Sequence, residues 1–393
     1  MKKKILLALF LCLTLILTLA VAGCAKKEEA ETPAEETTEA MEKEEILIVN
    51  HTSLTGGLAD YGFAAQEGVK LAVEKFSPFT AGNVEYTIKL VNLDDKGDSA
   101  EAAVTAQNAV DMGAVAVIGC LTSGNTNAAM PIYDKANIPM LSPSATRPDL
   151  TELGHGNFFR TCIRDDVQGN ALGTWVVDLD YKKVTVMDDR GDYAVAFADV
   201  VEETLKAAGV EVQREHCQEG DTDFSAQINN IKNNDSEAVI FTGYHREGGL
   251  LRKQMVENGL KDIQYMGGDG IKSAEIVNEA GGKENAEGTL CTFGLSQADM
   301  PGYEEFKTAY IKDTNKEGAG PYSENAYDAV GILVEAIKKA ESTNGTDIIE
   351  ALHSIKYTGI MGTFNFNEKG DIEIGSAVSK FIIKDGSWVP YTQ

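Results

Sequence analysis

The chain has 393 residues, 61 Asp and Glu against 35 Lys and Arg, and a formal net charge of −26. So acidic a surface argues against nucleic acid as a partner, because phosphate backbones select basic faces. It supports solubility outside a cell and does not specify a ligand.

The chain opens with Lys2, Lys3 and Lys4, an apolar run over 5–19, and then Val21-Ala22-Gly23-Cys24. This pattern reads as a signal peptide over 1–23, too short and too closely followed by polar sequence to span a membrane. Small residues leading into Cys24 form a lipobox, so the expected mature protein begins at Cys24 with acyl chains on it, a stable membrane anchor. Residues 24–44 are dominated by Glu, Lys, Ala, Thr and Pro. They read as a lipidated, disordered tether of roughly 25 Å average span. Past Cys24 the cysteines are Cys120, Cys162, Cys217 and Cys291. They show no Cys-x-x-Cys pair and no His at ligand spacing, so no metal is expected and buried free thiols are the favoured reading.

From Glu45 onward, strand and helix patterns alternate with short connections, the signature of parallel sheets. Ile46-Leu47-Ile48-Val49 reads as a strand, followed by a helix to about Phe76 with Tyr61 at its entrance. A strand over 86–91 and a helix started by the Asp98/Glu101 capping box come next. Residues 115–146 hold two apolar runs, each ending in small hydroxyl residues: Cys120-Leu121-Thr122-Ser123 and Ser142-Pro143-Ser144-Ala145-Thr146. In an open α/β sheet, ligands bind outside the carboxyl ends of the strands. Ser123 and Thr146 are therefore candidates for gripping an anion, although either cluster alone could merely cap a helix. Thr151 lies beyond the second cluster and is expected to play no part.

The pattern restarts after Arg160-Thr161. Strands over 184–187, 210–216, 238–242 and 288–293 alternate with helices, two helices over 301–315 and 322–341 return to the first set, and a closing strand over 380–384 joins the second. The expected architecture is α/β, with two doubly wound parallel-sheet lobes. One spans 45–165 plus 294–360, the other 166–293 plus 361–393, and three crossings make the hinge.

No nucleophile elbow, Walker A loop or G-x-G-x-x-G fingerprint occurs, so neither an enzyme nor a cofactor is expected. What recurs is placement. Tyr61, Tyr193 and Tyr244, the hydroxyls of Ser123 and Thr146, and the carboxylate of Asp269 all fall at carboxyl strand ends. That set suits a small-molecule pocket between lobes.

These residues resemble the solute-binding proteins of branched-chain amino acid ABC transporters, the leucine/isoleucine/valine-binding family with the type I periplasmic fold. The resemblance is carried by Ile118-Gly119 to Ser123, Ser142 to Thr146, Arg160-Thr161, Asp188 through Tyr193, Gly243-Tyr244 and Met266 through Gly270. It implies that Ser123 and Thr146, with backbone N–H groups near Leu121, Thr122, Ser144 and Ala145, hold an α-carboxylate. It further implies that Asp269 pairs with an α-ammonium, that Tyr61, Tyr193 and Tyr244 wall the side chain, and that Asp165 adds polar contacts near the crossing. A cysteine pair known in enteric members is absent, with Thr122 and the Lys96-Gly97 region in its place, and the acidic residue is Asp rather than Glu. The resemblance implies a monomeric extracytoplasmic receptor, lipid-anchored, that hands a small amino acid to permease subunits. Receptors for an amide, urea or another amino acid, a ligand-sensing partner of a signalling receptor, and a secreted hydrolase are the alternatives.

Overall fold

The computed structural model describes residues 41–316, 318–373 and 378–392. The expected signal peptide, Cys24 and nearly all of the tether lie outside them. The first sheet is built from β1 (Glu42–Thr52), β2 (Phe79–Ala81), β3 (Val84–Asp94), β4 (Ala116–Gly119), β5 (Met140–Ser142) and β6 (Phe158–Arg160), in the order β2-β3-β1-β4-β5-β6. All pairings are parallel except β2 with β3. The helices that follow its strands are α1 (Ala59–Phe76), α2 (Ser99–Asp111) and α3 (Ser123–Lys135).

After the first crossing, α4 (Asp165–Asp178) leads into the second sheet: β7 (Lys183–Asp188), α5 (Asp192–Ala207), β8 (Glu211–His216), α6 (Ser225–Asn233), β9 (Ala238–Phe241), α7 (His245–Glu257) and β10 (Gln264–Gly267). Two short helices, α8 (Glu275–Glu279) and α9 (Lys283–Ala286), precede β11 (Leu290–Phe293). The chain returns to the first lobe as α10 (Tyr303–Thr314), α11 (Ser323–Ala340), α12 (Gly345–His353) and a hairpin of β12 (Lys356–Gly359) with β13 (Gly362–Asn365). It ends in the second lobe as β14 (Ser379–Lys384) and β15 (Ser387–Pro390), giving the order β15-β14-β11-β10-β9-β7-β8.

The inner strands β4, β5, β9, β10 and β11 are buried on both faces, which is why they read as short, mostly apolar runs. In the second lobe Val184, Val186 and Ile240 face the layer of Trp175, Phe197 and Val201. Their neighbours Met187, Val239 and Phe241 face the opposite layer, with Leu251 and Met255. In the first lobe α1 is striped with small residues, so α11 can close on it. A Cβ at Gly68 would stand 2.1 Å from the backbone oxygen of Ser323.

Two expected boundaries move. The first strand begins at Glu42, inside the stretch read as tether. Residues 42–45 are charged and exposed, yet they pair with Val84 through Thr87 of β3, a register that no apolar alternation announces. The boundary expected at 360 falls inside the β12–β13 hairpin, which stays with the first lobe. Asp371 also belongs there, bridged to Arg160, and the chain is in the second lobe again from Ser379.

Within each lobe the parallel strand order reverses once. In the first, β3 lies on one side of β1 and β4 on the other; in the second, β8 lies on one side of β7 and β9 on the other. Loops leaving the two strands at such a switch point diverge and open a crevice. Tyr61 and Ser123 follow the first switch point, and Tyr193 and Tyr244 follow the second, so the two crevices supply the walls of one cleft.

Candidate functional site

The first-lobe side of the cleft is a braced cradle. Thr122 caps α3, its hydroxyl accepting from Asn125 N at 3.1 Å. Ser123, buried at the first position of that helix, accepts from the backbone N of Arg147 at 3.2 Å. A helix N-terminus carries partial positive charge and unpaired N–H groups, so it favours an anion. The next loop is tied back to it: the Ser144 hydroxyl donates to Leu121 O at 2.6 Å and the Ser142 hydroxyl to Cys120 O at 2.7 Å. The N–H groups of Ser144 and Ala145 donate to the Ser142 oxygen at 3.3 and 3.0 Å. These two N–H groups, expected to face a ligand, therefore shape the loop. Thr146 is 1 % exposed and its hydroxyl has no hydrogen-bond partner among the described residues.

The facing side is acidic. Asp269 accepts at one oxygen from Gln168 Nε2 at 2.6 Å and from the Tyr193 hydroxyl at 2.9 Å, and at the other from the Tyr322 hydroxyl. Burial pushes its pKa up, and those three hydrogen bonds oppose the rise. Asp165, fully buried at the first position of α4, has only the Thr146 hydroxyl close enough to stabilise its charge as a donor, at longer than ordinary hydrogen-bond distance, and Gln168 Oε1 has no partner among the described residues. Burial, reinforced by the nearby Asp269 charge, pushes the Asp165 carboxyl well above the usual carboxylate range. Thr146 and Asp165 adjoin, since Asp165 N donates to Thr146 O at 2.9 Å. The Thr146 hydroxyl and the Asp165 carboxylate thus meet between cradle and acids.

Aromatic side chains close the rest. Tyr61 reaches across the cleft, donating to the carbonyl oxygens of Asp269 and Gly270 at 3.0 and 3.1 Å, and its ring stacks on His245 with centroids 5.4 Å apart. Tyr193 lies between Phe197 and Tyr244, with centroids at 5.7 and 5.2 Å. A cavity of about 220 Å³ opens between the lobes beside Tyr244, also lined by Leu58, Lys96, Asp98 and Glu247. The lobes are held together around it by Arg147 Nη1 and Asn127 Nδ2 on Asp192, at 2.5 and 3.1 Å, and by Ser273 Oγ on Asp60 at 2.5 Å.

Tyr61, Tyr193 and Asp269 are thus joined by hydrogen bonds across the lobes, Asp165 and Thr146 lie beside them, and Tyr244 lines the adjoining cavity. Tyr322, Gln168 and His245 were not among the candidates. Gln168 sits one turn from Asp165, a spacing that was available as a signal. Tyr322 arrives from a distant segment in a left-handed backbone conformation and carries no local signal. Lys272 does not extend to solvent as its length suggests. Its ammonium lies 4.5 Å from the ring centres of both Phe293 and Phe381, and burial lowers its pKa.

The four described cysteines are free and buried. Cys120 joins a cluster that spacing did not reveal, with His51 and Asp95. His51 Nδ1 faces Cys120 Sγ at 3.3 Å and the Tyr133 hydroxyl at 2.8 Å, while Nε2 faces Asp95 at 3.5 Å. The two ring nitrogens serve different neighbours, an arrangement suited to a neutral imidazole. Burial, outweighing Asp95, holds its pKa at about 4.

Comparisons with known proteins bear on the fold and the family. Residues 45–378 match a family model described as periplasmic binding protein. A leucine-, isoleucine-, valine-, threonine- and alanine-binding protein of Pseudomonas aeruginosa is 32 % identical over 336 residues, covering 85 % of this chain and 88 % of that one. A leucine binding protein of Thermotoga maritima superposes with a TM-score of 0.82 at 29 % identity, covering 88 % of this chain and 98 % of that one. A branched-chain amino acid transporter substrate binding protein of Streptococcus pneumoniae, solved with isoleucine, superposes with a TM-score of 0.78 at 29 % identity and the same coverage.

The Asp165 carboxylate makes a prediction that needs no ligand. A carboxylate with a raised folded-state pKa holds its proton in the fold to higher pH than in the unfolded chain, so its cost is absent in acid and grows as pH rises through the ordinary carboxylate range. Asp165→Asn removes that cost. In ligand-stripped protein it should stabilise wherever the unfolded carboxylate is ionised, because Asn cannot titrate. The gain should be larger at pH 8 than at pH 5. Thermal unfolding of both proteins at both pH values checks this, and an equal or negative difference would show that Asp165 is paired.

Proposed function

The chain belongs to the periplasmic binding protein family, and from that premise we propose that it is the receptor of an ABC importer for a branched-chain or similar small aliphatic amino acid. It is a solute-binding protein and not an enzyme. The observation that carries the ligand class is the opposition of two charge preferences in one closed cleft. A helix N-terminus with the hydroxyls of Ser123 and Thr146 suits a carboxylate. The buried acceptors of Asp165, Asp269 and Gln168 suit an ammonium, whose three donors need partners once water is excluded. An amino-acid zwitterion carries both groups on one carbon. The rings of Tyr61, Tyr193, Tyr244 and Tyr322 gather around Asp269 and suit a ligand side chain without charge.

In this reading the ligand first meets one lobe, and closure about the crossings completes the second set of contacts. Asp192 and Asp60 latch the rim. Asp269 is already held by three donors, so the ammonium is shared with Asp165, which has only the Thr146 hydroxyl beside it. The names of the Pseudomonas aeruginosa and Thermotoga maritima proteins, and the isoleucine bound to the Streptococcus pneumoniae protein, support this reading.

Calorimetric titration of ligand-stripped protein tests the proposal. Leucine, isoleucine or valine should bind, and Thr146→Val should weaken binding on the order of 10- to 100-fold, the effect of losing a hydrogen bond to a charged group. The keto acid that matches leucine without its amino group should bind far more weakly than leucine itself. If leucine and its keto acid bind equally, the acidic residues are structural and the ligand is not an amino acid.

We further propose that the protein is anchored at the outer face of the membrane through Cys24, on the strength of the Val21-Ala22-Gly23-Cys24 sequence and the polar stretch behind it. Metabolic labelling with a fatty acid should mark the native protein and leave Cys24→Ala unmarked. Label retained by the substituted protein would remove the anchor from this position.

A further inference from the structure

Arg160 is fully buried, and all five of its guanidinium N–H bonds have acceptors. Nε donates to Asp371 Oδ1 at 2.6 Å; Nη1 donates to the carbonyl oxygens of Ala145 and Arg147 at 3.0 and 2.7 Å; Nη2 donates to Pro148 O at 3.1 Å and to the Thr151 hydroxyl at 3.0 Å. Three of these acceptors are backbone atoms of the loop that carries Ser144, Ala145 and Thr146. Asp371 lies close to the last crossing between the lobes. It also takes Arg164 Nη1 at 2.9 Å, from the first crossing, and the Thr151 hydroxyl at 3.1 Å. Gly370 makes the approach possible: its φ of +91° is open to glycine, and a Cβ there would stand 2.3 Å from Phe158 O. Its own carbonyl accepts from Arg160 N at 3.1 Å.

The geometry points to Arg160 and Asp371 as positioning residues. They lock the cradle loop over 144–148 to the first-lobe ends of two hinge crossings, so that lobe rotation leaves the carboxylate-binding geometry unchanged. Neither touches the site directly. Arg160 acts by fixing where the Ala145 and Arg147 carbonyls point, and with them the Thr146 hydroxyl between them. Asp371 acts by fixing Arg160, whose planar fork Lys cannot reproduce. Thr151 therefore has a part that its place beyond the loop did not suggest.

The inference rests on the cradle being the carboxylate site, and one readout is independent of any ligand. In ligand-stripped protein, Asp371→Asn and the milder Thr151→Val should speed hydrogen exchange at the amides of Ser144, Ala145 and Arg147 by about tenfold or more, while α7 keeps its protection. Arg252→Lys serves as the matched control, since Arg252 is also buried and grips the carbonyls of Lys261, Ile263 and Asn285 in the second lobe. It should lower the melting temperature and leave the loop amides unchanged. The second readout is the ratio of affinities for leucine and leucinamide, which differ only at the carboxylate. Asp371→Asn and Thr151→Val should shrink that ratio, and Arg252→Lys should preserve it. Loop amides that exchange at the wild-type rate in both variants would overturn the positioning role. If the amides respond but wild-type protein binds neither compound, the positioning role stands and the amino-acid reading fails.

Discussion

Two carboxylates, Asp165 and Asp269, lie buried close together where the lobes meet, and burial drives both toward their neutral forms. Ionising either one in a dry site costs free energy unless a cation shares it. The protein offers Asp269 two tyrosine hydroxyls and an amide, and offers Asp165 only the nearby Thr146 hydroxyl. The apparatus around the pair follows from that imbalance. An ammonium ligand would supply the missing charge and donors, its own carboxylate would then need the opposed helix N-terminus, and both demands are met together only with the lobes closed. The free energy of closure in this account comes from the ligand's two charged ends, and selectivity among side chains comes from the aromatic walls.

Topology makes the arrangement available. Each lobe has one place where its strand order reverses, and the hinge sets those two places face to face. Side chains at the strand ends can then come from several separate loops without any loop being long. The hinge has to move without deforming the site it closes. The Arg160–Asp371 clamp meets that requirement on the first-lobe side, because it ties the cradle loop to the crossings before they bend.

Much of this was legible in the sequence because it is encoded locally. A run such as Ala116-Val-Ile-Gly119 followed by small hydroxyl residues marks both a buried strand and its exposed end, and tyrosines one helix-start away mark the walls. What escaped detection is encoded by distance. Tyr322 reaches Asp269 from more than fifty residues along the chain, Asp371 reaches Arg160 from more than two hundred, and His245 meets Tyr61 only across the cleft. The charged start of β1 and the short edge strands β2 and β15 escaped for another reason. Exposed edge pairing requires no apolar pattern, so composition there resembles a linker. Thr151 shows how a residue that looks idle by position becomes structural once a buried arginine needs a fifth acceptor.

The most direct test of the account is to ask the protein what it carries. Protein purified rapidly without dialysis should be denatured, and the released small molecules identified by mass spectrometry and quantified against protein. The account predicts a single aliphatic amino acid, leucine, isoleucine, valine or a close relative, approaching one equivalent. Recovery instead of a ligand that lacks either the amino or the carboxyl group, such as an amide or an amine-free acid, would contradict the pairing of opposed charge sites on which the whole reading depends.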